Sequence, residues 1–494
     1  MSFFPDAKQF TISRGSFTHV EGNVNHYNIQ VDPQDNLEEL ERSISKGLET
    51  LAQQAVLGAS HNAEQRFPPP KCHPGTRAHV LKTLRRWVRS KSKPTSIYWL
   101  YGAAGVGKSA IAQSISESFS TTDLAASFFF SRTDPSGLRS TLAHFFITLA
   151  YQLAVSPLSS PILNKSITHV AYSRPDIMHA SLETQFQELI VQPCSQLSPE
   201  QVNILPRLII IDGLDECIDI ASQERLLSII RQAKSADIQP PLPFEFLICS
   251  RPEPRIRNAF GHRNFRDILD CTELGESLQS GLDIAKYLRD EFRMIQQGHG
   301  LAMAHVAQDW PGDHIIQQLV QRACGQFIYA ATILKYVGEY HALPTEQLKI
   351  IMSVTVPEQT DSPYPDLDLL YMLILHSAID MQNLQLTLPS FPNTTHVPYG
   401  IPPSTSPTSC VMLENLFSLN KGKVGALLFG LHSVLNIPEN DHTDIGMYHA
   451  SFGDFLMDPK RSGRYFVDSR GEVMAKYRAF YLLRCFSITV ANTL

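Results

Sequence analysis

The sequence contains no pair of cysteines at the C-x-x-C spacing, although it has eight cysteines. They stand singly, and several lie in apolar segments, as small core residues do. This distribution argues against a zinc site and indicates a reducing compartment. The N-terminus lacks the basic-then-apolar pattern of a signal peptide, and the longest apolar run near the C-terminus, residues 424–437, is too short and too polar to span a bilayer. These absences predict a cytoplasmic protein without a membrane span.

The chain also lacks a large excess of charge of one sign, since 42 Lys and Arg oppose 48 Asp and Glu for a net charge of −6. This balance gives no electrostatic basis for binding nucleic acid or an anionic membrane. The most basic run, residues 82–93, is interleaved with apolar residues at helical spacing, which favours a solvated helix face. No internal repeat of solenoid type is present. The length of 494 residues predicts two to four domains.

Residues 97–112 have the pattern of an apolar strand, a glycine loop and the start of a helix. Gly102, Gly107, Lys108 and Ser109 match the spacing G-x-x-x-x-G-K-[ST], in which glycines let backbone N–H groups turn towards phosphate oxygens. The helix adds the positive end of its dipole, Lys108 neutralises the outer phosphates, and Ser109 holds Mg²⁺. We therefore predict that the chain binds a nucleoside triphosphate. The predicted phosphate-binding residues are Gly102, Ala103, Ala104, Gly105, Val106, Gly107, Lys108, Ser109 and Ala110.

Residues 207–217 form a second candidate half of the site, because an apolar strand there ends in Asp212 and is followed by Asp215 and Glu216. A carboxylate at the end of a strand beside the glycine loop is suited to hold Mg²⁺, which predicts Asp212 as a metal ligand together with Ser109. Asp215 or Glu216 would orient or deprotonate the attacking water. The alternative interpretation of these residues is a solvent-facing acidic turn.

Arg251 follows the next predicted strand, where an arginine is placed to reach the γ-phosphate of a bound nucleotide. The alternative is a surface arginine that caps a loop, and without further context the two interpretations are equal. The sequence has no N-K-x-D motif, so guanine specificity is not supported. Adenine is the favoured base, which makes ATP or ADP with Mg²⁺ the expected ligand.

Continuous apolar strands alternate with helices up to about residue 275, which is typical of a parallel sheet covered by helices on both faces. The ligand of such a sheet lies at the carboxyl ends of the strands. The predicted later strands are residues 125–131, 207–211, 244–249 and 265–271, and the predicted helices are 36–57, 137–153, 181–191, 222–233, 281–297, 313–324, 326–340, 345–353 and 365–381. The residues between the predicted helices 137–153 and 181–191 are interpreted as a polar stretch, and a strand or two near 446–467 is expected before a last helix from about 471.

Several motifs together resemble the NACHT branch of the STAND-type P-loop ATPases, and more narrowly the large fungal NACHT family related to the nephrocystin-like N-terminal domain. The segments that carry the resemblance are residues 72–77, 99–102 with the following loop, 211–217, 250–254, 325–332 and 449–456. The Asp-Gly-Leu-Asp-Glu segment that begins at Asp212 is far more specific than the glycine loop alone.

The resemblance implies an α/β P-loop NTPase fold followed by an all-helical domain and a winged-helix-like domain. The implied divisions are an arm with an amphipathic helix (1–60), the NTPase domain (61–275), a helical domain (276–386), a Pro/Ser/Thr-rich loop or linker (387–409) and a helical, winged-helix-like part (410–494). Residues 1 to about 35 are left open between a loose β-arm and a disordered arm.

Such proteins are ATP/ADP switches with weak hydrolysis. Their ADP form is closed, with the winged-helix domain folded back on the nucleotide, and ATP favours an open, self-associating form. By this resemblance Thr76 and Arg77 border the adenine, Arg251 is a sensor arginine, and His449 contacts the β-phosphate of ADP. The residues alone leave His449 open as an ordinary core or surface histidine.

The sequence departs from the family pattern in two respects. Where plant and animal relatives place a proline that packs on adenine, this chain has Gly325-Gln326-Phe327, so that contact is in doubt. The chain also has no repeat array and no sizeable effector domain, which leaves a truncated product, a fragment and a switch with a borrowed sensor as alternatives.

The leading hypothesis is therefore a slow ATPase that serves as a signalling switch, with self-association or protein partners and no nucleic acid. The alternatives are a P-loop motor ATPase, a phosphotransferase, and a catalytically idle nucleotide-binding scaffold.

Overall fold

The structure is a computed structural model and describes residues 33–90, 95–134, 136–234, 242–356, 362–376, 381–391 and 408–467. The predicted N-terminal arm, the greater part of the Pro-rich linker and the predicted last helix lie outside the described residues. Within these ranges, no helix is long and apolar enough to cross a membrane.

A five-stranded parallel sheet organises the first half of the chain. Its strands are β1 (Ile97–Gly102), β2 (Leu124–Phe129), β3 (Leu208–Asp212), β4 (Glu245–Ser250) and β5 (Leu269–Leu274). Their order across the sheet is β2-β3-β4-β1-β5. Every residue of β2, β3 and β4 is buried, as the continuous apolar runs in the sequence predict for a sheet covered on both faces. The sheet confirms the predicted α/β P-loop fold.

Helices cover both faces of this sheet. The helices of this half are α1 (Pro33–Gln54), α2 (Ala78–Arg89), α3 (Lys108–Phe119), α4 (Phe145–Val155), α5 (Pro161–Ser173), α6 (Leu182–Phe186), α7 (Gln192–Ser195), α8 (Pro199–Ile204), α9 (Ile220–Ala233) and α10 (Pro254–Phe260). On one face, α2 and α3 bury residues such as Leu84 and Ile115 in one core cluster. On the other face, Phe128 of β2 belongs to a larger cluster that includes Phe145 of α4 and Ile167 of α5.

The second half of the chain is helical with its own core. Its helices are α11 (Leu278–Gly298), α12 (Gly300–Met303), α13 (Asp313–Ala323), α14 (Phe327–Val337), α15 (Pro344–Ser353), α16 (Pro365–His376), α17 (Met381–Thr387), α18 (Cys410–Phe417), α19 (Lys423–Leu428), α20 (Ala450–Leu456) and α21 (Pro459–Ser462). The strands β6 (Leu435–Asn436) and β7 (Gly446–Met447) pair as a short antiparallel ribbon. One hydrophobic cluster runs through these elements from Ile284 to Val467.

Three sequence-based assignments are wrong in detail. The stretch interpreted as polar contains helix α5, which begins where Ser160 caps Ile162 and Pro161 occupies the first turn. The helix predicted from residue 137 begins at Phe145, because Leu138–Ser140 forms a separate 3₁₀ turn. Of the strand or two expected near 446–467, only β7 is found among the described residues, and the rest of that region is mainly helix, since Phe452, Phe455 and Leu456 recur at helical spacing and pack into the core.

Candidate functional site

The glycine loop joins β1 to α3 at the carboxyl edge of the sheet. Gly105 and Gly107 have φ angles of +75° and +93°, which side chains rarely adopt. A Cβ at Gly105 would also lie 2.1 Å from Cγ2 of Ile328. Helix α3 begins at Lys108, directly after the loop. The loop therefore has the backbone curl and the helix N-terminus that phosphate binding requires.

Lys108 turns back onto the loop. Its Nζ donates to the carbonyl oxygens of Gly102 and Ala103, each at 2.8 Å. Burial lowers the pKa of Lys108, while the charge of Asp215 acts in the opposite direction. Since carbonyl oxygens are neutral acceptors, a phosphate oxygen would be the stronger partner for this ammonium group.

Asp212 is 4% exposed at the end of β3 and accepts a hydrogen bond from Ser109. Burial raises the pKa of this carboxyl to about 6. Its Oδ1 is buried and, among the described residues, has no hydrogen-bond partner. A carboxylate oxygen without a partner beside a hydroxyl is the oxygen donor set that Mg²⁺ prefers, so these two predicted ligands fit the ion.

The two acidic residues after Asp212 differ in their surroundings. Asp215 is 5% exposed and accepts hydrogen bonds from Arg251, whereas Glu216 Oε2 accepts the backbone N–H of Arg132 at 3.0 Å. Burial and the neighbouring charge of Asp215 raise the pKa of Glu216 to about 7. A carboxyl with this pKa is suited to exchange a proton near neutral pH. The acidic segment is therefore buried at the sheet edge and is not a solvent-facing turn.

Arg251 follows β4 and forms two ion pairs. Its Nε lies 3.1 Å from Asp215 Oδ2, and its Nη1 lies 2.6 Å from Asp454 Oδ2 on α20. Burial alone would lower the pKa of Arg251, but the charges of Asp454 and Asp215 outweigh it and the pKa is raised. Arg251 is thus a partly buried cation between the sheet and the helical half, and the alternative of a surface arginine is wrong.

Arg132 and Asp454 are site residues that the sequence analysis did not find. Arg132 Nη2 donates to the carbonyl oxygen of Asp215 at 2.9 Å, and its Nη1 lies 3.3 Å from Asp454 Oδ1. The Asp454 carboxylate therefore bridges Arg132 and Arg251. The sequence offered one indication of Asp454: it lies one helical turn beyond Ala450, in the segment that was singled out for His449.

Thr76 and Arg77 precede α2, and Arg77 lies against the glycine loop. Arg77 has a φ of 53°, and its Nη2 donates to the carbonyl oxygen of Val106 at 2.7 Å. Its backbone N–H donates to Asp283 of α11, and its guanidinium lies 4.8 Å from the centre of the Phe327 ring. Thr76 is 2% exposed. Arg77 thus links the loop to the helical half.

Helix α14 also contacts the loop directly. The backbone N–H of Ile328 donates to the carbonyl oxygen of Gly105 at 3.1 Å. Phe327 packs beside Arg77 and Tyr287. The aromatic residue is therefore close to the loop, in contact with a residue predicted to border the base.

His449 caps the N-terminus of α20 and is partly buried. Its Nδ1 accepts the backbone N–H of Ser451 at 3.1 Å, which leaves the ring proton of a neutral imidazole on Nε2. Burial and the charges of Arg251 and Lys108 lower the pKa of His449 to about 4. His449 is thus a neutral group at pH 7, close to the lysine of the glycine loop.

Comparison with known proteins gives one family match. The family described as nephrocystin 3, N-terminal, matches residues 75–251, from the segment before α2 to Arg251. No curated protein matches the chain.

The solved structures that match this chain include two of low identity. The Aeropyrum pernix ORC2 protein, in ADPNP–ADP complexes, is 10% identical with a TM-score of 0.31, over 86% of this chain and 99% of that chain. Drosophila ORC bound to AT-rich DNA and Cdc6 is 12% identical with a TM-score of 0.25, over 88% of this chain and 70% of that chain. At these TM-scores neither structure constrains the site described above.

Proposed function

We propose that this chain is an ATP-binding switch of the NACHT type, with weak Mg²⁺-dependent hydrolysis, in a signalling pathway of the innate-immunity or cell-death kind. The general class is that of a P-loop NTPase, which the parallel sheet, the glycine loop and the buried Asp212 support together. In this proposal residues 61–275 form the nucleotide domain, 276–386 a helical domain and 410–494 a winged-helix-like domain. The short ribbon β6–β7 beside α20 supports the last of these.

The ion pair between Arg251 and Asp454 carries the proposal. An arginine placed to contact the γ-phosphate is held by a carboxylate from the helical half. A nucleotide whose γ-phosphate binds Arg251 would compete with that carboxylate, so ATP and ADP would favour different arrangements of the two halves. A ligand shifts such an equilibrium only by its differential affinity for the two states, and the γ-phosphate is the chemical difference available here.

Each residue of the site would have its own role in binding or hydrolysis. Mg²⁺ held by Ser109 and Asp212 would supply charge neutralisation at the phosphates. Lys108 binds phosphate oxygens, and the backbone N–H groups of the loop orient them. Glu216 accepts a proton from water, and Asp215 fixes the Arg251 side chain. With a pKa of about 7, Glu216 is protonated in a large part of the molecules at neutral pH, which is consistent with slow turnover.

His449 would act as a donor to the β-phosphate through its Nε2–H, in line with the fixed tautomer. This contact would bind the helical half to a diphosphate without requiring a charged imidazole. The proposed closed form therefore has two polar links from one helix: His449 to the nucleotide and Asp454 to Arg251. Absence of a nucleic-acid partner stays a prediction.

The experiment that tests the proposal is to identify the nucleotide that purifies with the full chain and to measure the affinities for ADP and ATP with Mg²⁺. The proposal expects bound ADP in the purified protein and measurable affinity for both nucleotides. Purification without nucleotide, combined with no affinity for either, would exclude the switch.

A further inference from the structure

Arg66 lies outside the family match and outside every motif found in the sequence, yet its side chain reaches the functional edge of the sheet. Its guanidinium lies 3.5 Å from the centre of the Phe129 ring. Phe129 is the registered partner of Asp212 on the neighbouring strand. Paired residues of adjacent strands point to the same face, so Arg66 and the Asp212 carboxylate share one side of the sheet. The charge of Arg66 is close enough to lower the pKa of Asp212 against the effect of burial.

The hydrogen bonds of Arg66 position its charge without neutralising it. Its Nη1 donates to Oε1 of Gln113 at 2.9 Å and to the carbonyl oxygen of Ser60 at 3.3 Å. Gln113 is 1% exposed and lies one helical turn after Ser109 on α3. Burial lowers the pKa of Arg66 to about 10, and the positive charge of Arg139 adds to this effect. Arg66 therefore remains a cation at neutral pH.

Arg139 is a second cation at the same place. Its Nε donates to the carbonyl oxygen of Phe129 at 3.1 Å. Burial lowers its pKa, while Asp134, Glu216 and Asp212 attract its charge from a distance. Within the part of the chain that the structure describes, neither guanidinium forms an ion pair with a carboxylate. Asp212 acts on both cations from a distance, and a bound phosphate would bring a second anion close to them.

The other cations of the site are already engaged. Arg251 pairs with Asp215 and Asp454, and Lys108 donates to two loop carbonyls. Arg66 and Arg139 differ from Arg251 because their partners are neutral groups. The two guanidinium groups lie near Phe129, the register partner of Asp212, and the magnesium-bound end of a triphosphate would lie on the same side of the sheet.

We propose that Arg66, assisted by Arg139, binds the terminal phosphate of a nucleoside triphosphate and so sets the preference of the chain for tri- over diphosphate. This inference rests on the proposed nucleotide site. A guanidinium presents a planar fork of donors that matches phosphate oxygens. A diphosphate has no terminal phosphate at that position, so its affinity depends little on Arg66. The N-terminal segment before α2 thereby becomes part of the nucleotide site.

The test compares the affinities of a non-hydrolysable ATP analogue and of ADP, each with Mg²⁺, by titration calorimetry on the full chain. Arg66→Gln is expected to lower the affinity for the analogue about 10- to 100-fold and the affinity for ADP less than about twofold. Arg66→Lys is expected to lose part of the analogue affinity, because it keeps the charge and loses the fork. Arg86→Gln, an exposed arginine of α2, is the matched control and should change neither affinity.

The possible outcomes separate the two proposals. If the parent binds neither nucleotide, the nucleotide site itself is wrong and the role of Arg66 is wrong with it. If the parent binds both nucleotides and Arg66→Gln lowers the two affinities equally, Arg66 only supports the fold through Gln113 and Phe129. In that case this proposal alone is overturned. Arg139→Gln provides a second, independent variant for the case in which Arg66→Gln unfolds. It should show the same selective loss of affinity for the analogue. An unchanged ratio of the two affinities would contradict the proposal.

Discussion

Nη1 of Arg251 and Oδ2 of Asp454 lie 2.6 Å apart, which joins the residue after strand β4 to helix α20 of the helical half. Both side chains are 19% exposed, so the pair is screened from bulk water more than a surface ion pair is. Asp454 also contacts Arg132, whose backbone holds Glu216. One carboxylate of the helical half is therefore connected to both Arg251, the proposed sensor arginine, and the candidate general base.

Removing the Asp454 charge should release Arg251. We expect Asp454→Asn to raise the affinity for a non-hydrolysable ATP analogue relative to ADP by about 5- to 30-fold, since the coupling between two states is commonly about 1–2 kcal/mol. The variant should also self-associate more in sedimentation velocity. Glu439→Gln, an exposed residue between the strands of the ribbon, is the control. An unchanged affinity ratio would show that the Asp454 link does not report the nucleotide state.

Lys108 should be essential for nucleotide binding. Lys108 supplies the only side-chain cation proposed within the glycine loop itself, so we expect Lys108→Ala to lose retention of radiolabelled ATP. Lys82→Ala changes an exposed lysine of α2 and should retain ATP at the parent level. ATP retention by Lys108→Ala equal to that of the parent would remove the glycine loop from the site.

Glu216→Gln should separate binding from turnover. The amide cannot accept the proton of the attacking water, so we expect ATP affinity within about threefold of the parent and hydrolysis slowed about 100-fold or more. Measuring phosphate release under single-turnover conditions checks this. A variant that hydrolyses ATP at the parent rate would exclude Glu216 as the base.

The raised pKa of Glu216 also predicts a pH profile. A general base works in its ionised form, so the single-turnover rate should rise as the pH increases through about 7 and level off above it. Below that pH the rate should fall by about tenfold per pH unit. A profile that is flat between pH 6 and 8 would mean that Glu216 does not limit the rate.

His449→Ala should weaken the binding of ADP and leave the folded state intact. The variant loses the Nε2–H donor proposed for the β-phosphate, and we expect ADP affinity to fall about 10- to 100-fold, as for one hydrogen bond to a charged group. Self-association should increase because the closed form is less favoured. His442→Ala, an exposed histidine in the same part of the chain, should behave like the parent. Unchanged ADP affinity together with unchanged sedimentation would rule out the role of His449.

Local sequence patterns were enough to predict the strands and the residues at their ends. Apolar runs that end in glycine or aspartate placed β1 and β3 with their functional residues at the same edge, and Lys108 and Asp212 followed from spacing. The boundaries of α4 and α5 were missed because capping by Ser160 and the separate turn before α4 outweigh average polarity.

The remaining site residues depend on contacts between segments far apart in the chain. Arg66, Arg132 and Arg139 belong to no motif, and only the packing of the segment before α2 and the loop after β2 brings them beside Asp212 and Glu216. Asp454 was within a quoted segment, but its partners follow from the docking of α20, which no spacing in the sequence encodes.

The central claim is that ATP and ADP favour different arrangements of the two halves, and the most direct measurement is the mass of the particle that this chain forms with each nucleotide. Sedimentation velocity of one preparation, saturated either with ADP or with a non-hydrolysable ATP analogue and Mg²⁺, gives both values. The account predicts a compact monomer with ADP and a larger, self-associated species with the analogue. Identical sedimentation with both nucleotides, at saturation confirmed by calorimetry, would contradict it.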